Sequence, residues 1–269
     1  MFPDIETILK VLDEEFPLTL AEEWDNSGLQ VAADKQIIKK ILVALDPSPN
    51  AVSKAASIDA RLLITHHPLI FKAISCIDSK VYPGNVIKEA IKNDVSIIAF
   101  HTNLDSARGG FNDILAETLD LDNIDVLGAK ENVSGDSFGP GRIGDLPGAV
   151  EFSSYVKRVK ELFKAKYLKV SGPDDALIKR VAIVGGSGGD MIPEAAKEGA
   201  DLLITGDIGH HDALNAESCG INIIDAGHFN TERTALGVFI KKMEEIFNNN
   251  NMDVTMEIYN EEINPIRDI

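Results

Sequence analysis

The chain has 269 residues, of which 44% are hydrophobic, and its formal net charge is -17. This composition predicts a soluble globular protein, and the negative field disfavours binding to nucleic acid. No apolar run reaches the length of a membrane span, no signal peptide is evident, and the two distant cysteines, Cys76 and Cys219, favour a reducing cytoplasm.

The first half of the chain alternates between apolar runs of strand length and segments with helical spacing. The predicted elements, in chain order, are a helix over 4–16, a turn into a strand over 24–31, a strand over 37–45, a helix over 50–58, a strand over 61–65, a helix over 86–93 and a strand over 95–100. This alternation predicts a parallel α/β sheet.

The second half repeats the same order. The predicted elements are a strand over 180–184, a helix over 193–198, a strand over 201–205, a helix over 212–217, a strand over 221–225, a helix over 231–247 and a loop over 248–251. Residues 123–177 are predicted to join the halves, with a Gly/Pro-rich stretch over 135–148 and a helix over 151–165.

A direct repeat connects the two halves. Leu62–Thr65 and Leu202–Thr205 have the same sequence, Leu-Leu-Ile-Thr, at an offset of 140 positions. Over residues 38–65 the offset gives nine identities, where chance predicts roughly two: Ile38, Lys39, Ala55, Ala56, Ala60, Leu62, Leu63, Ile64 and Thr65. We therefore expect two similar α/β lobes that arose by internal duplication, over about 1–122 and 123–269.

All six histidines lie near predicted strand ends: His66, His67, His101, His210, His211 and His228. The carboxyl ends of strands in open α/β sheets are where ligands bind. A single histidine is more often a solvated or satisfied residue, but six at such places favour a functional site.

Two of the strand ends carry the same short pattern, a histidine followed four residues later by a carboxylate. The pairs are His101 with Asp105 and His228 with Glu232. Imidazole and carboxylate at this spacing suit a first-row divalent metal, and the alternative is that the polar residues cap a helix. Because the pattern occurs twice, we favour the metal.

His66 and His67 are adjacent, and neighbours in a strand face opposite ways. They are therefore better suited to two ions a few ångströms apart than to one ion.

The glycine-rich run after the strand over 180–184 is a candidate anion site. The backbone amides of Gly185, Gly186, Ser187 and Gly188 could cradle a phosphate, and the alternative is a tight strand-to-helix turn. His211 is a candidate residue either for supporting the metal ligands from outside or for facing the substrate.

Five motifs in this order resemble the NIF-three-like family, whose members are often named GTP cyclohydrolase 1 type 2 homologs. They are Trp24-Asp25-Asn26-Ser27-Gly28-Leu29, Thr65-His66-His67-Pro68-Leu69, His101-Thr102-Asn103-Leu104-Asp105, Gly185-Gly186-Ser187-Gly188 and Asp225-Ala226-Gly227-His228-Phe229-Asn230-Thr231-Glu232.

The resemblance implies two similar α/β lobes with a dinuclear metal centre between them, in a homohexamer. It implies the compact form of the family, without a domain inserted between the lobes. The metal ligands that it implies are His66, His67, Asp105, His228 and Glu232, with His101 as a further ligand or a proton-transfer group.

The expected function is metal-dependent hydrolysis of a nucleotide or a related small molecule, in which two metal ions activate a water molecule and His101 or His211 transfers a proton. Zinc, iron, manganese, cobalt and nickel all suit such ligands. The alternative is a non-enzymatic, oligomeric metal-binding or regulatory adaptor. We expect neither nucleic-acid binding nor membrane association.

Overall fold

A computed structural model describes residues 2–34, 37–131 and 135–266. The helices are α1 (Ile5–Glu15), α2 (Pro49–Ser57), α3 (Gly84–Lys92), α4 (Thr102–Ser106), α5 (Phe111–Thr118), α6 (Phe152–Leu162), α7 (Ile192–Lys197), α8 (His210–Cys219) and α9 (His228–Asn249). The strands are β1 (Gly28–Val31), β2 (Lys40–Ala44), β3 (Leu62–Thr65), β4 (Ser96–Ala99), β5 (Asp122–Leu127), β6 (Lys130–Glu131), β7 (Ser137–Phe138), β8 (Gly141–Glu151), β9 (Lys169–Ser171), β10 (Leu177–Ser187), β11 (Leu202–Gly206), β12 (Asn222–Asp225) and β13 (Thr255–Ile258). The predicted α/β class is confirmed.

The chain divides into two compact units, Met1–Leu104 with Leu236–Ile263 and Asp105–Ala235 with Asn264–Ile269. These units differ from the lobes expected at about 1–122 and 123–269 in two ways: residues 105–122 belong to the second unit, and the later part of α9 and all of β13 belong to the first. The lobe boundaries, as units of duplication, stay a prediction.

The first unit is built around a sheet of order β1-β4-β3-β2-β13, in which only β1 runs antiparallel to its neighbour. Every residue of β3 and β4 is buried, as expected for parallel strands that are covered on both faces. Leu42, Leu63, Val86 and Ile97 are core residues of this unit, and they come from both strands and helices.

The second unit contains a sheet of order β5-β8-β10-β11-β12-β9, in which β10, β11 and β12 are parallel. Its pairing of β10 with β11 repeats that of β2 with β3: Ile41 lies opposite Leu62, and Val181 lies opposite Leu202. Both residues of the second pair are 140 positions after those of the first. The sequence repeat thus corresponds to the same strand register in each unit.

The Gly/Pro-rich stretch over 135–148 differs from its prediction, because most of it forms β8, which pairs with both β5 and β10. The glycines permit close strand packing. A Cβ atom on Gly141 would lie 2.8 Å from a methyl of Val184, and one on Gly144 would lie 2.9 Å from the carbonyl oxygen of Asp122. Glycines that allow such an approach resemble loop glycines in the sequence.

The long C-terminal helix also differs at its ends. It begins at His228 rather than residue 231, since the amide of Thr231 already donates to the carbonyl of Gly227, and it continues to Asn249 inside the predicted loop. Within the described ranges, none of the helices has the length and apolar character that crossing a bilayer requires.

Candidate metal centre

The first unit brings three histidines together at the carboxyl ends of two neighbouring strands. His66 and His67 follow β3, and His101 follows β4. Each offers a ring nitrogen within 4.8 Å of the others, and the ring centroids are 5.0 to 5.6 Å apart. The group could therefore bind a metal ion.

Each of these rings is held by a hydrogen bond from its Nδ1 atom. His66 donates to the carbonyl oxygen of Phe100 at 2.9 Å, His67 to Asp46 at 2.9 Å and His101 to Asp25 at 2.8 Å. A bond of this kind fixes the tautomer and directs Nε2 toward ligation, as the outer partners of metal-binding histidines do.

Of these acceptors, Asp25 accepts several further hydrogen bonds besides the one from His101. Its carboxylate also accepts hydrogen bonds from the hydroxyls of Ser27 and Thr102 and from the amide of Thr102. Burial alone would raise the pKa of Asp25, but the hydrogen bonds and the charge of His101 outweigh it and leave the pKa below its ordinary value. Asp25 is thus held as a carboxylate against His101.

The second unit carries a histidine and a glutamate on the first turns of α9. Nε2 of His228 lies 2.9 Å from Oε1 of Glu232, and Nδ1 of His228 donates to Asp207 at 2.7 Å. With Nδ1 protonated, a neutral imidazole has a lone pair on Nε2, and a lone pair facing a carboxylate is unfavourable unless a proton or a cation lies between them. The pair therefore fits a metal ion, and Glu232 is buried.

The absence of a side chain at residue 186 makes room for this pair. A Cβ atom on Gly186 would lie 2.6 Å from Oε1 of Glu232 and 3.3 Å from Nε2 of His228, and the backbone φ is +65°. A glycine here is required both by the backbone conformation and by the approach of two candidate ligands.

The glycine-rich run is less open to a phosphate than the sequence suggested. Gly185–Ser187 lie within β10 rather than in a loop. The amide of Gly185 donates to Asn112 at 2.8 Å and that of Gly186 donates to Thr231 at 3.0 Å. Two of the four expected amide donors are thus committed to side chains, and phosphate binding by Gly185, Gly186, Ser187 and Gly188 stays a prediction.

Asp105 lies in α4 and is partly buried. Among the described residues, the groups of donor atoms brought together within 4.8 Å do not include it. Its backbone is anchored nearby, since the side-chain amide of Asn112 donates to the Asp105 carbonyl at 3.2 Å. Its role as a ligand stays a prediction.

His210 and His211 form the first turn of α8, and both are exposed. Their rings contact each other, with centroids 5.6 Å apart. The catalytic role expected for His211 stays a prediction.

A cleft of about 680 Å³ lies elsewhere in the second unit. Its lining includes Ser171, Asp201, Glu217 and Asn222, and none of the candidate ligands contributes to it. The candidate metal site is therefore identified by its cluster of donor atoms and not by a large cleft.

The residues that sequence analysis missed are the aspartates beside the histidines: Asp25, Asp46 and Asp207. Asp25 belongs to the Trp24–Leu29 motif, which by itself does not indicate a histidine partner. Asp46 and Asp207 are each 21 residues from their histidine. The one signal is an aspartate that closely follows a strand beside a histidine-bearing strand, and it points to both Asp46 and Asp207.

Comparison with known proteins identifies similar chains over nearly the full length. The model of the Duf34/NIF3 (NGG1p interacting factor 3) family matches residues 3–265. A Clostridium perfringens protein named GTP cyclohydrolase 1 type 2 homolog is 36% identical, over 90% of this chain and 91% of its own. A Helicobacter pylori protein named GTP cyclohydrolase 1 type 2 is 33% identical, over 94% of this chain and 95% of its own. The crystal structure of Staphylococcus aureus protein SA1388 superposes with a TM-score of 0.93 at 26% identity, covering 100% of both chains.

Proposed function

This chain belongs to the Duf34/NIF3 family, and on that premise we propose that it is a dinuclear metal-binding protein that hydrolyses a nucleotide or a related small molecule. The observation that carries the proposal is the cluster of His66, His67 and His101, whose ring nitrogens lie within 4.8 Å of one another. The names of the similar proteins support a nucleotide as the substrate.

The proposed ligands are His66, His67, Asp105, His228 and Glu232. Two ions are favoured over one because His66 and His67 are adjacent in sequence and each has its own Nδ1 acceptor. The shared strand register at an offset of 140 supports an origin of the two lobes by duplication. The metal is a first-row divalent ion, since imidazole and carboxylate suit zinc, iron, manganese, cobalt and nickel.

Bound divalent ions would supply a water molecule of lowered pKa and stabilise developing negative charge. The side chains of the protein would orient the substrate and transfer protons. Asp25 holds Nδ1 of His101, which leaves Nε2 of His101 as the atom that would either bind a metal ion as a further ligand or exchange a proton with the substrate. His211 is the second proton-transfer candidate.

Elemental analysis of protein purified without added metal tests the metal centre. We expect two equivalents per chain, falling to one or none in His228→Ala. The matched control is His210→Ala, an exposed histidine outside the proposed ligand set, which should keep both equivalents. Two equivalents retained in His228→Ala would contradict the proposal.

A nucleotide panel with metal-loaded protein tests hydrolysis, and His101→Gln and His211→Gln separate the two proton-transfer candidates. Turnover of no nucleotide at full metal occupancy would instead favour an oligomeric metal-binding or regulatory adaptor. In that case metal removal should lower the stability of the protein or disrupt its assembly. Asp105→Ala would then change no catalytic rate, because there would be no turnover.

We also propose a homohexamer, as the family resemblance implies. Sedimentation should give a mass near six times the 29.2 kDa of one chain. A monomer at micromolar concentration would contradict this assembly.

A further inference from the structure

Two large aromatic side chains lie exposed beside the histidine cluster of the first unit. Trp24 is 58% exposed and Phe71 is 46% exposed, with ring centroids 5.7 Å apart. Both meet the ring of His101 edge to face, with centroids at 6.0 and 6.4 Å. The aromatic surface thus continues directly into the group of polar donor atoms.

The segment Trp24–Gln30, which is the Trp24–Leu29 motif and the residue after it, holds this aromatic pair in place. Asn26 donates from its side chain to the carbonyl of Ile70 at 2.7 Å, and the side chain of Gln30 accepts from the amide of Ile70 at 3.1 Å. The residue before Phe71 is therefore anchored to the turn that carries Trp24. Because Asp25 anchors the same turn to Thr102 and His101, both rings are presented from fixed backbone.

This arrangement suits a small planar molecule with polar edges. Binding sites for such ligands combine aromatic walls with a few convergent polar groups. Aromatic side chains stack on the flat face of any nucleobase, whichever hydrogen-bond donors and acceptors its edge carries. A ring stacked on Trp24 would lie next to His101, so that an atom of the ring, rather than a distant phosphate, would be near the reactive groups.

We propose that Trp24 and Phe71 form a stacking subsite for a planar heteroaromatic ring of the substrate, of the purine type. The inference rests on the proposed hydrolase function and adds the part of the substrate that the protein recognises. It also gives the segment Trp24–Gln30 a role: Asp25 orients His101, Asn26 and Gln30 anchor Ile70, and Trp24 binds substrate together with Phe71.

The fluorescence of the zinc-loaded protein tests the subsite, because Trp24 is the only tryptophan of the chain. Excitation at the red edge of tryptophan absorption avoids absorption by the probes. We expect guanosine and GTP to quench Trp24 in a saturable way, and ribose 5-phosphate and inorganic triphosphate to leave it unchanged.

Phe71→Leu should weaken guanosine binding about tenfold, within the range that stacking on one aromatic ring contributes. The matched control is Phe2→Leu, since Phe2 is 42% exposed in the same unit and contacts Lys39. Its guanosine affinity should equal that of the unmodified protein.

The outcomes separate the subsite from the hydrolase. Saturable quenching by guanosine, without turnover of any nucleotide, would support the stacking subsite and contradict the proposed hydrolase function. Turnover of GTP with an unchanged KM in Phe71→Leu would overturn the subsite and leave the hydrolysis. A change of sedimentation coefficient in Phe71→Leu, with no guanosine quenching, would identify the aromatic pair as a contact between copies of the chain and overturn the proposal.

Discussion

Oδ1 of Asp25 lies 2.8 Å from Nδ1 of His101, although 76 residues separate them in the chain. Asp25 lies shortly before β1 and His101 lies shortly after β4, so only the folded unit brings them together. This pair is the clearest case in which the protein orients a candidate metal-binding ring from outside the donor group.

With His101 as a further ligand, Asp25→Asn should lower the affinity for Zn²⁺ by about 10- to 100-fold, the usual effect of losing an outer partner of a ligating histidine. Competition with a chromogenic chelator measures this affinity. Asp13→Asn is the control, because Asp13 accepts a hydrogen bond from the amide of Leu18 away from the cluster. Equal Zn²⁺ affinities in the two variants would contradict the role given to Asp25.

Glu262 supports the same cluster through Asp46. Its carboxylate accepts hydrogen bonds from the amides of Leu45 and Asp46 at 2.8 to 3.1 Å, and Asp46 in turn holds His67. Glu262→Ala should lower the free energy of unfolding by about 1–3 kcal/mol, as expected for charge-assisted hydrogen bonds, and should also weaken Zn²⁺ binding. Urea unfolding and chelator competition measure the two effects.

Glu261→Ala, at an exposed neighbouring position, is the control for Glu262 and should change neither quantity. Because Glu262 acts through Asp46, the effects of Glu262→Ala and Asp46→Ala on Zn²⁺ affinity should not add. Strict additivity in the double variant would argue that Glu262 stabilises only the fold.

Gly186→Ala should remove metal from the second unit's donor pair, because the new methyl group would meet Glu232 and His228. Gly199→Ala separates crowding from backbone strain: Gly199 has a φ of +82°, and a Cβ atom there would meet nothing within 4 Å. Each variant should lose about 1–2 kcal/mol of stability from the left-handed backbone. Elemental analysis should find a lower metal content in Gly186→Ala alone, and equal contents would refute the explanation.

Tyr155 should make the stability sensitive to alkaline pH. Its hydroxyl is buried, with no hydrogen-bond partner in the described part of the chain. Burial raises the pKa of Tyr155 above its ordinary value; the charge of Arg158 lowers this pKa by less, and the charge of Asp120 raises it further. A raised pKa means that the folded state favours the neutral phenol. The stability is therefore fully present below the unfolded pKa of about 10 and is lost as pH rises above it.

Tyr155→Phe should raise the free energy of unfolding at neutral pH by about 1 kcal/mol, since it removes an unpaired buried hydroxyl. It should also flatten the loss of stability between neutral and strongly alkaline pH. Tyr167→Phe, at a residue that is 50% exposed, is the control. Identical alkaline profiles for Tyr155→Phe and the unmodified protein would contradict the prediction.

Much of the fold could be predicted because its signals are local. β3 and β11 are short apolar runs, and the same four-residue sequence makes up β3 and the first four residues of β11. The histidines were expected at strand ends for the same reason, and His66, His67 and His101 do lie there.

Other features depend on contacts that no local pattern specifies. β8 contains glycines and a proline that are typical of loops, and it becomes a strand because it pairs with β5 and β10. Its Arg142 is completely buried, where it donates to Asp113 and to the carbonyl of Ala107. A charged residue in a Gly/Pro-rich stretch is normally exposed, and only the folded unit supplies these acceptors.

The pairing of β13 with β2 bears on how the protein is made. Residues 255–262 leave the ribosome about 190 residues after His66 and His67, at a synthesis rate of roughly 5–20 residues per second. The first sheet therefore lacks an edge strand, and Asp46 lacks the support of Glu262, for roughly 10–40 seconds of translation. His67 is the histidine affected, because its partner Asp46 is the one that Glu262 holds, so we expect the site around His67 to reach its final geometry only after this strand has been made.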